Sequence, residues 1–372
     1  MALEGRALWR EAPGETPVWV DGTWTWEDGR LHRVTGPGEG RDRDEAVPAC
    51  WIVPGMVDVH CHIGIGPSGP VGREEQERQA LADRDSGVLA VRDCGVPVDD
   101  SWVQGRPDLP VLVRSGRHIA RPKRYTRGLA VELEDPGDLP GEVLRQARAG
   151  DGWVKLVGDW IDRAGGAESD LDPLWPREIL RDAVAAAHEE GARVAVHCFS
   201  HRVVDDLLEA GVDDIEHGTG MDDDQMAEAA ARGVMVTPTL VQVELFGSFA
   251  DQAGRRYPRY AATMRAMHRE RRAHAERLFG SGVWILPGMD AGGYQPHGEL
   301  ARELALWSRA GMSPDRILAH ATWRARDALR VDSLQEGARA DLLVLDSDPT
   351  ADPGALARPR AVVLGGRVVV GG

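Results

Sequence analysis

The sequence predicts an α/β protein: a (β/α)8 barrel of the TIM type, with a small β-sandwich module built from both chain ends. Three observations predict it. Eight short apolar runs recur between residues 56 and 286, most of them separated by amphipathic helical stretches. The two ends of the chain are strand-like instead. The length, 372 residues, suits one large α/β domain plus a smaller module. The expected boundaries are 1–52 for the N-terminal part of the module, 53–332 for the barrel and 333–372 for the C-terminal part. A strongly twisted open sheet is the alternative arrangement for the eight runs.

The elements follow in order. The segment PVWVDGTWTWEDGRLHRV alternates and carries Asp-Gly turn signals at Asp21-Gly22 and Asp28-Gly29. The apolar runs are Met56–His60, Val88–Arg92, Val111–Arg114, Trp153–Val157, Arg193–His197, Val212–His217, Val234–Thr237 and Val283–Leu286. Between them lie REEQERQALADRDSG, PREILRDAVAAAHEEG and DDDQMAEAAARG, which read as helices, the last two ending at Gly. After the helix PDRILAHATWRARDALRV the chain returns to strands, in ADLLVLDSD and RAVVLGGRVVVGG.

Composition narrows the class. Hydrophobic residues make up 42% and charged residues 28%, as in an ordinary globular protein, and the net charge is −16. That charge disfavours nucleic acid or an anionic membrane as partner. No apolar run is long enough to span a bilayer, and the N-terminal residues have no apolar core of a secretory signal. The four cysteines, Cys50, Cys61, Cys94 and Cys198, match neither a disulfide framework nor a zinc knuckle. A cytoplasmic location is expected, with a small molecule as partner; a homo-oligomer is compatible with the sequence.

In a barrel, chemistry sits at the C-terminal ends of the strands. The first run leads into His60-Cys61-His62, where residues i and i+2 face the same side. The fifth run ends at His197, the sixth at His217, and the eighth is followed by Asp290. Four imidazoles and a carboxylate at equivalent places suit a metal site with an open position. Lys155, inside the fourth run, is costly to keep charged when buried, and burial lowers its pKa. A neutral amine there can add CO2 and become a carbamate that bridges two cations. The alternative is a snorkelling lysine, or one paired with Asp159 or Asp162.

The blocks PGMVDVHCH, VKLVGDW, VAVHC, IEHGTGMDD, TPTL, LPGMDAGG, HGELARELALWSRAGMSPDRILAHAT and LQEGARADLLVLDSDP cover nearly the whole chain. In their order and spacing the chain resembles the amidohydrolase superfamily of metal-dependent hydrolases. Within it, the chain looks most like the imidazolonepropionase-like and Xaa-Pro or Xaa-Arg dipeptidase branch. The resemblance implies two divalent metal ions, commonly zinc. His60, His62 and Asp290 would hold one, His197 and His217 the other, and carboxylated Lys155 would bridge both. It implies hydrolysis of an amide C–N bond, in a dipeptide, an N-acyl amino acid or a cyclic amide, by a metal-bridging hydroxide. Asp290 would take the hydroxide's proton and pass it to the leaving nitrogen.

Three departures from that pattern stand out. Relatives often carry His-Ala-His at the fifth strand, where this chain has His197-Cys198-Phe199. They often have Gly-Thr-Asp before the last ligand, where this chain has Gly288-Met289-Asp290. A Gly-Gly-His after their third strand is replaced by RSGRHIARPKRYTRG.

The basic run from Arg117 to Arg127 should border the mouth, where Arg121 is a candidate for gripping a substrate carboxylate. His118 is the candidate for polarising the substrate, Tyr125 for orienting it, and Tyr294 and His297 lie on the loop after Asp290. His201 is expected as a solvated histidine at a helix start, and His268 and His274 as surface residues. FGSFADQAGRRYPRY is expected as a long loop acting as a lid or an oligomer contact. Two further readings remain: a mononuclear deaminase or ring hydrolase of an imidazole- or pyrimidine-like substrate, and a non-catalytic barrel scaffold.

Overall fold

The computed structural model describes residues 2–34 and 50–371. Residues 35–49, inside the expected N-terminal module segment, lie outside the described residues. Each of the eight apolar runs forms a strand. After four module strands, β1 (Ala2–Trp9), β2 (Val18–Glu27), β3 (Arg30–Arg33) and β4 (Trp51–Pro54), come β5 (Met56–Cys61), β6 (Val88–Asp93), β7 (Val111–Arg114) and β8 (Trp153–Val157). Then follow β9 (Arg193–Cys198), β10 (Asp214–His217), β11 (Met235–Thr237) and β12 (Trp284–Ile285).

Strands β5 to β12 are parallel and fall into two sheets. One has the order β5-β6-β7. The other continues β8-β9-β10-β11-β12 and carries the short strands Ile119–Ala120 and Val131–Glu132 on its β8 edge. Backbone bonds link β5 to the segment after β12: Val59 N–H donates to Pro287 O at 2.9 Å and Asp290 N–H to His60 O at 2.7 Å. Helices cover the strands on the outside, which is why β5, β6 and β8 are buried at every residue and read as continuous apolar runs.

The helices between strands start and stop where local chemistry dictates. Helix α4 (His201–Ala210) is capped by the Ser200 hydroxyl and ends at Gly211 in the left-handed region. Asp222 and Gln225 form a reciprocal capping box on α5 (Asp223–Arg232), which ends at left-handed Gly233. The same run of polar and apolar residues therefore sets where each following strand begins.

Both chain ends form one module, but not as two separate sheets. With β13 (Leu342–Leu345), β14 (Ala361–Leu364) and β15 (Arg367–Gly371), they make a single seven-stranded sheet in the order β15-β14-β13-β4-β1-β2-β3. The sheet curls, so that Leu31 N–H of β3 donates to Ala338 O, 2.8 Å away, just before β13. It encloses a core of its own, with Trp9, Trp24, Leu31, Ile52, Leu342 and Val344 buried together. The expected sandwich is thus one sheet folded over itself. Val53 and Pro54 pair with Leu343 and Leu342 in that sheet, and the chain leaves it at Gly55.

Two local expectations fail. Asp28-Gly29 makes the β2–β3 turn, but Asp21 and Gly22 lie inside β2, paired with Arg6 and Gly5 of β1. Asp21 is held there by the Arg6 guanidinium at 2.8 Å, which compensates a residue otherwise poor in strands. The segment 246–260 is not a loop: it forms α7 (Phe246–Ala253) and the first turn of α8 (Pro258–Gly280), with Phe246 and Ala250 buried. No helix among the described residues is long and apolar enough to cross a membrane.

Candidate metal centre

The parallel strands bring the six expected donors together at their C-terminal ends. His60 ends β5 with Cys61, His62 follows it, Lys155 lies in β8, His197 in β9, and His217 closes β10. The His60 and His62 Nε2 atoms lie 3.2 and 3.4 Å from Asp290 Oδ1. His217 Nε2 is 3.0 Å from His197 Nδ1, and the His60 and His217 rings are 5.1 Å apart. One ligand atom each from His60, His217 and Asp290 can sit within 4.8 Å of one another. All five of the His and Lys residues are at most 5% exposed.

Two of these groups hold strained backbone. His217 has φ 65° and Asp290 φ 54°, left-handed values unusual for residues with a Cβ. Thr239, whose hydroxyl oxygen is 2.6 Å from His217 Nδ1, has φ 42°. Such conformations cost on the order of 1–3 kcal/mol each and persist where the surroundings impose them. At His217 the turn matters directly. Regular alternation would place Glu216 inside and His217 outside. The left-handed backbone brings both into the interior.

Hydrogen bonding fixes ring roles. A carbonyl can only accept, so His62 Nδ1 and His118 Nδ1, 3.2 and 2.9 Å from Gly95 O, carry the proton. Both Nε2 atoms then present a lone pair. Asp58 joins the two ligand strands by accepting from His60 N–H at 2.9 Å and Met289 N–H at 3.2 Å. Burial, and then the Lys155 charge, pull His60 down to about 3. Burial also holds His197 and His217 well below the ordinary histidine value. The His60, His197 and His217 imidazoles are therefore neutral, the form that binds metal. Burial pushes the Asp290 carboxyl up, but the neighbouring His60 and His62 rings outweigh it and hold it well below the ordinary range.

Lys155 has a partner that the sequence did not suggest. Its ammonium contacts Glu216, not Asp159 or Asp162. Asp159 instead accepts from the Phe199 and Ser200 N–H groups, both at 2.8 Å, and Asp162 pairs with Arg124 at 2.7 Å. Burial pulls Lys155 down to about 8. Beneath it, Arg92 Nη2 reaches Asp214 at 2.6 Å and Glu216 Oε1 at 3.1 Å, and its guanidinium lies over Trp153 at 4.3 Å. Sequence reasoning missed Glu216, Asp214, Arg92, Asp58 and Thr239. The signal was present for Arg92, a charged residue ending an otherwise apolar run.

The donor chemistry fits bound metal. Buried, neutral imidazoles converge on an ionised carboxylate, and His197 Nε2 and His60 Nδ1 have no hydrogen-bond partner among the described residues. Buried polar atoms left without partners are rare unless something else fills the gap.

The expected substrate contacts divide into two groups. His118 is buried, with its ring 6.1 Å from His62 and 5.0 Å from Tyr125, and Tyr125 lies 5.9 Å from His197. His118 Nε2 and Arg121 Nη1 have no hydrogen-bond partner among the described residues. His118 and Tyr125 thus border the donors. Arg117 is committed to Leu129 O at 2.7 Å and Arg124 to Asp162. Tyr294 is 68% exposed and packs on Phe249 at 5.3 Å, out on the rim. His297 Nδ1 is turned to Asp83 of α1 (Arg73–Asp85), 2.8 Å away, in a buried pair that anchors the loop. His201 starts α4 and is exposed, as expected. His274 is buried and bonds Met221 O at 3.1 Å, against expectation, because α8 packs over α5.

A family model described as the amidohydrolase family matches residues 161–369. An uncharacterized protein of Mycobacterium tuberculosis is 46% identical over 357 residues, 95% of this chain and 93% of that one. The structure of a Xaa-Pro dipeptidase with methionine in its active site is similar, with TM-score 0.79 and 22% identity, covering 98% of this chain and 99% of that chain. A prolidase complexed with N-methylphosphonate-L-proline gives TM-score 0.78 at 20% identity, over 100% and 99%.

Proposed function

Because this chain belongs to the amidohydrolase family and is a hydrolase acting on carbon–nitrogen bonds, we propose that it is a binuclear metalloenzyme cleaving an amide in a small, carboxylate-bearing substrate of dipeptide or N-acyl amino acid type. The observation that carries this reading is the convergence of His60, His62, His197, His217, Asp290 and Lys155, with His60 Nδ1 and His197 Nε2 unpartnered among the described residues. We read the two parallel sheets as one (β/α)8 barrel, supported by the backbone bonds between β5 and the segment after β12.

His60, His62 and Asp290 would hold one cation, His197 and His217 the second, and Lys155, as a carbamate, would face both. Zinc suits imidazole and carboxylate donors. When bound, the cations would supply Lewis acidity to the scissile carbonyl and a water made nucleophilic near neutral pH.

The chain's own groups do the rest. Asp290 takes the proton of the attacking water and delivers it to the leaving nitrogen. Neutral His118, with its proton on Nδ1, accepts through Nε2 from a substrate N–H; the donor role expected of it would require a protonated ring, and burial pulls His118 down to about 3. Arg121 offers Nη1 to the substrate carboxylate. Tyr125 and Trp160, with ring centroids 4.8 Å apart, wall the space beside His197 and exclude water.

The test is metal quantification followed by a screen of Xaa-Pro and Xaa-Arg dipeptides, N-acyl amino acids and cyclic amides. Two cations per chain and turnover of carboxylate-bearing amides are expected. One cation per chain, with turnover of ring substrates only, would overturn the proposal. Lys155→Ala should lower the metal content toward one per chain, with partial recovery in a small carboxylic acid such as acetate.

A further inference from the structure

We infer that a second site, a cavity between the β-module and the N-terminal ends of the parallel strands, binds a small dianionic oxyanion, a phosphate monoester or a dicarboxylate. The cavity, about 960 Å³, is lined by Arg30, Arg106, Arg326, Arg339 and Arg367, with Trp26 on one wall. It lies at the opposite end of the strands from the metal donors: Gly105 to Pro107 precede β7, and Val111 opens it. Five guanidiniums face three carboxylates, Asp28, Asp332 and Asp341, in a chain whose net charge is −16.

The arginines are not equally committed. Arg106 is paired with Glu77 and Asp108 at 2.9 and 2.7 Å. Arg339 is held by Asp341 at 3.1 Å and Pro107 O at 3.2 Å, and Asp341 also accepts from Gly365 N–H. These pairs neutralise much of the wall. The remaining three have donors to spare. Arg30 makes one long bond, 3.4 Å to Gly337 O, and Arg367 is exposed with no ion pair among the described residues.

Arg326 is the decisive group. It is 1% exposed, and its Nε and Nη1 donate to Gly55 O at 2.9 Å and Asp332 O at 2.7 Å. Its Nη2 has no partner among the described residues. An unsatisfied N–H on a buried cation is among the costlier defects a fold can keep. Burial pulls this guanidinium below its ordinary value, so a negative partner would relieve it. Planar guanidinium forks match carboxylate and phosphoryl oxygens two at a time, and the volume suits a small molecule.

The experiment is calorimetric titration of the metal-loaded, full-length protein with inorganic phosphate and, separately, with succinate, in a constant chloride background. Saturable one-to-one binding is expected. Arg367→Ala and Arg30→Ala should each weaken it about tenfold, one charge-assisted contact each, with hydrolytic activity unchanged. Arg326→Lys should weaken it at least as much; because Arg326 also ties Gly55 and Asp332, the two exposed variants decide the matter if it fails to fold. Preference for phosphate identifies a phosphate monoester, and preference for succinate a dicarboxylate. No saturable binding of either anion, or binding unchanged in Arg30→Ala and Arg367→Ala, as for an anion held at the metal centre, would overturn the inference.

Discussion

Two polar layers lie one above the other among the parallel strands, and they differ in how fully their groups are partnered. In the lower layer Arg92 donates to Val59 O at 2.7 Å, to Asp214 and to Glu216, and Thr237 donates to Asp214 at 2.9 Å, while Arg92 Nη1 has no hydrogen-bond partner among the described residues. In the upper layer, on neighbouring strands, His197 Nε2 and His60 Nδ1 have no hydrogen-bond partner among the described residues, and Lys155 meets only Glu216. Both layers are buried, so water cannot explain the difference. A buried network whose side chains are nearly all bonded to one another is a structural device, and imidazole nitrogens left bare beside a carboxylate suit a cation. Glu216 belongs to both, with one oxygen toward Arg92 and the other toward Lys155.

The comparison can be broken at several points. The largest effect is expected in the upper layer. Asp290→Asn should lower kcat/KM by about 10²–10⁴-fold, the usual worth of a general base, while stability holds. Metal analysis on the same sample separates proton transfer from metal loss, and wild-type rates with metals bound would refute the role of Asp290. In the lower layer the damage should appear as lost stability. Arg92→Met strands two buried carboxylates and should cost about 3–5 kcal/mol in denaturant unfolding. An unchanged midpoint would mean the layer is not structural.

A buried histidine outside both layers sharpens the contrast. His320 Nδ1 donates to Ile285 O at 2.6 Å, and burial pulls the ring down to about 4. Its folded value lies below the unfolded one, near 6.5, so the unfolded chain takes up the proton first as pH falls. Stability from this group is full above about pH 6.5 and is lost between about 6.5 and 4, by up to roughly 3 kcal/mol. A shallower loss of melting temperature across that window is expected in His320→Gln. The smallest effect belongs to Thr237→Val, which removes one donor to Asp214 and should cost about 1 kcal/mol with catalysis little changed.

Strand positions were legible because each apolar run is bounded by groups that act locally. Ser200, Asp222, Gly211 and Gly233 stop or start helices through bonds to neighbours two to four residues away. The pairing of His60 with His62 follows from strand period alone. The partner of Lys155 was not legible: Glu216 lies sixty-one positions further on (216 − 155), and its side was hidden by the left-handed backbone at His217. His274 was misread for a similar reason, since helix packing and not helix pattern decides which face of α8 is covered.

The amino-acid order by itself thus determined the alternation of strands and helices, the β-rich chain ends and the types of residue at each strand end, since these depend on period, caps and turns within a few residues. Only the tertiary structure decided which carboxylate meets Lys155, which ring nitrogens are left bare, that both ends curl into one sheet, and that five arginines from distant segments line one cavity. Those outcomes depend on contacts between residues tens to hundreds of positions apart, and local sequence does not encode the distances between them.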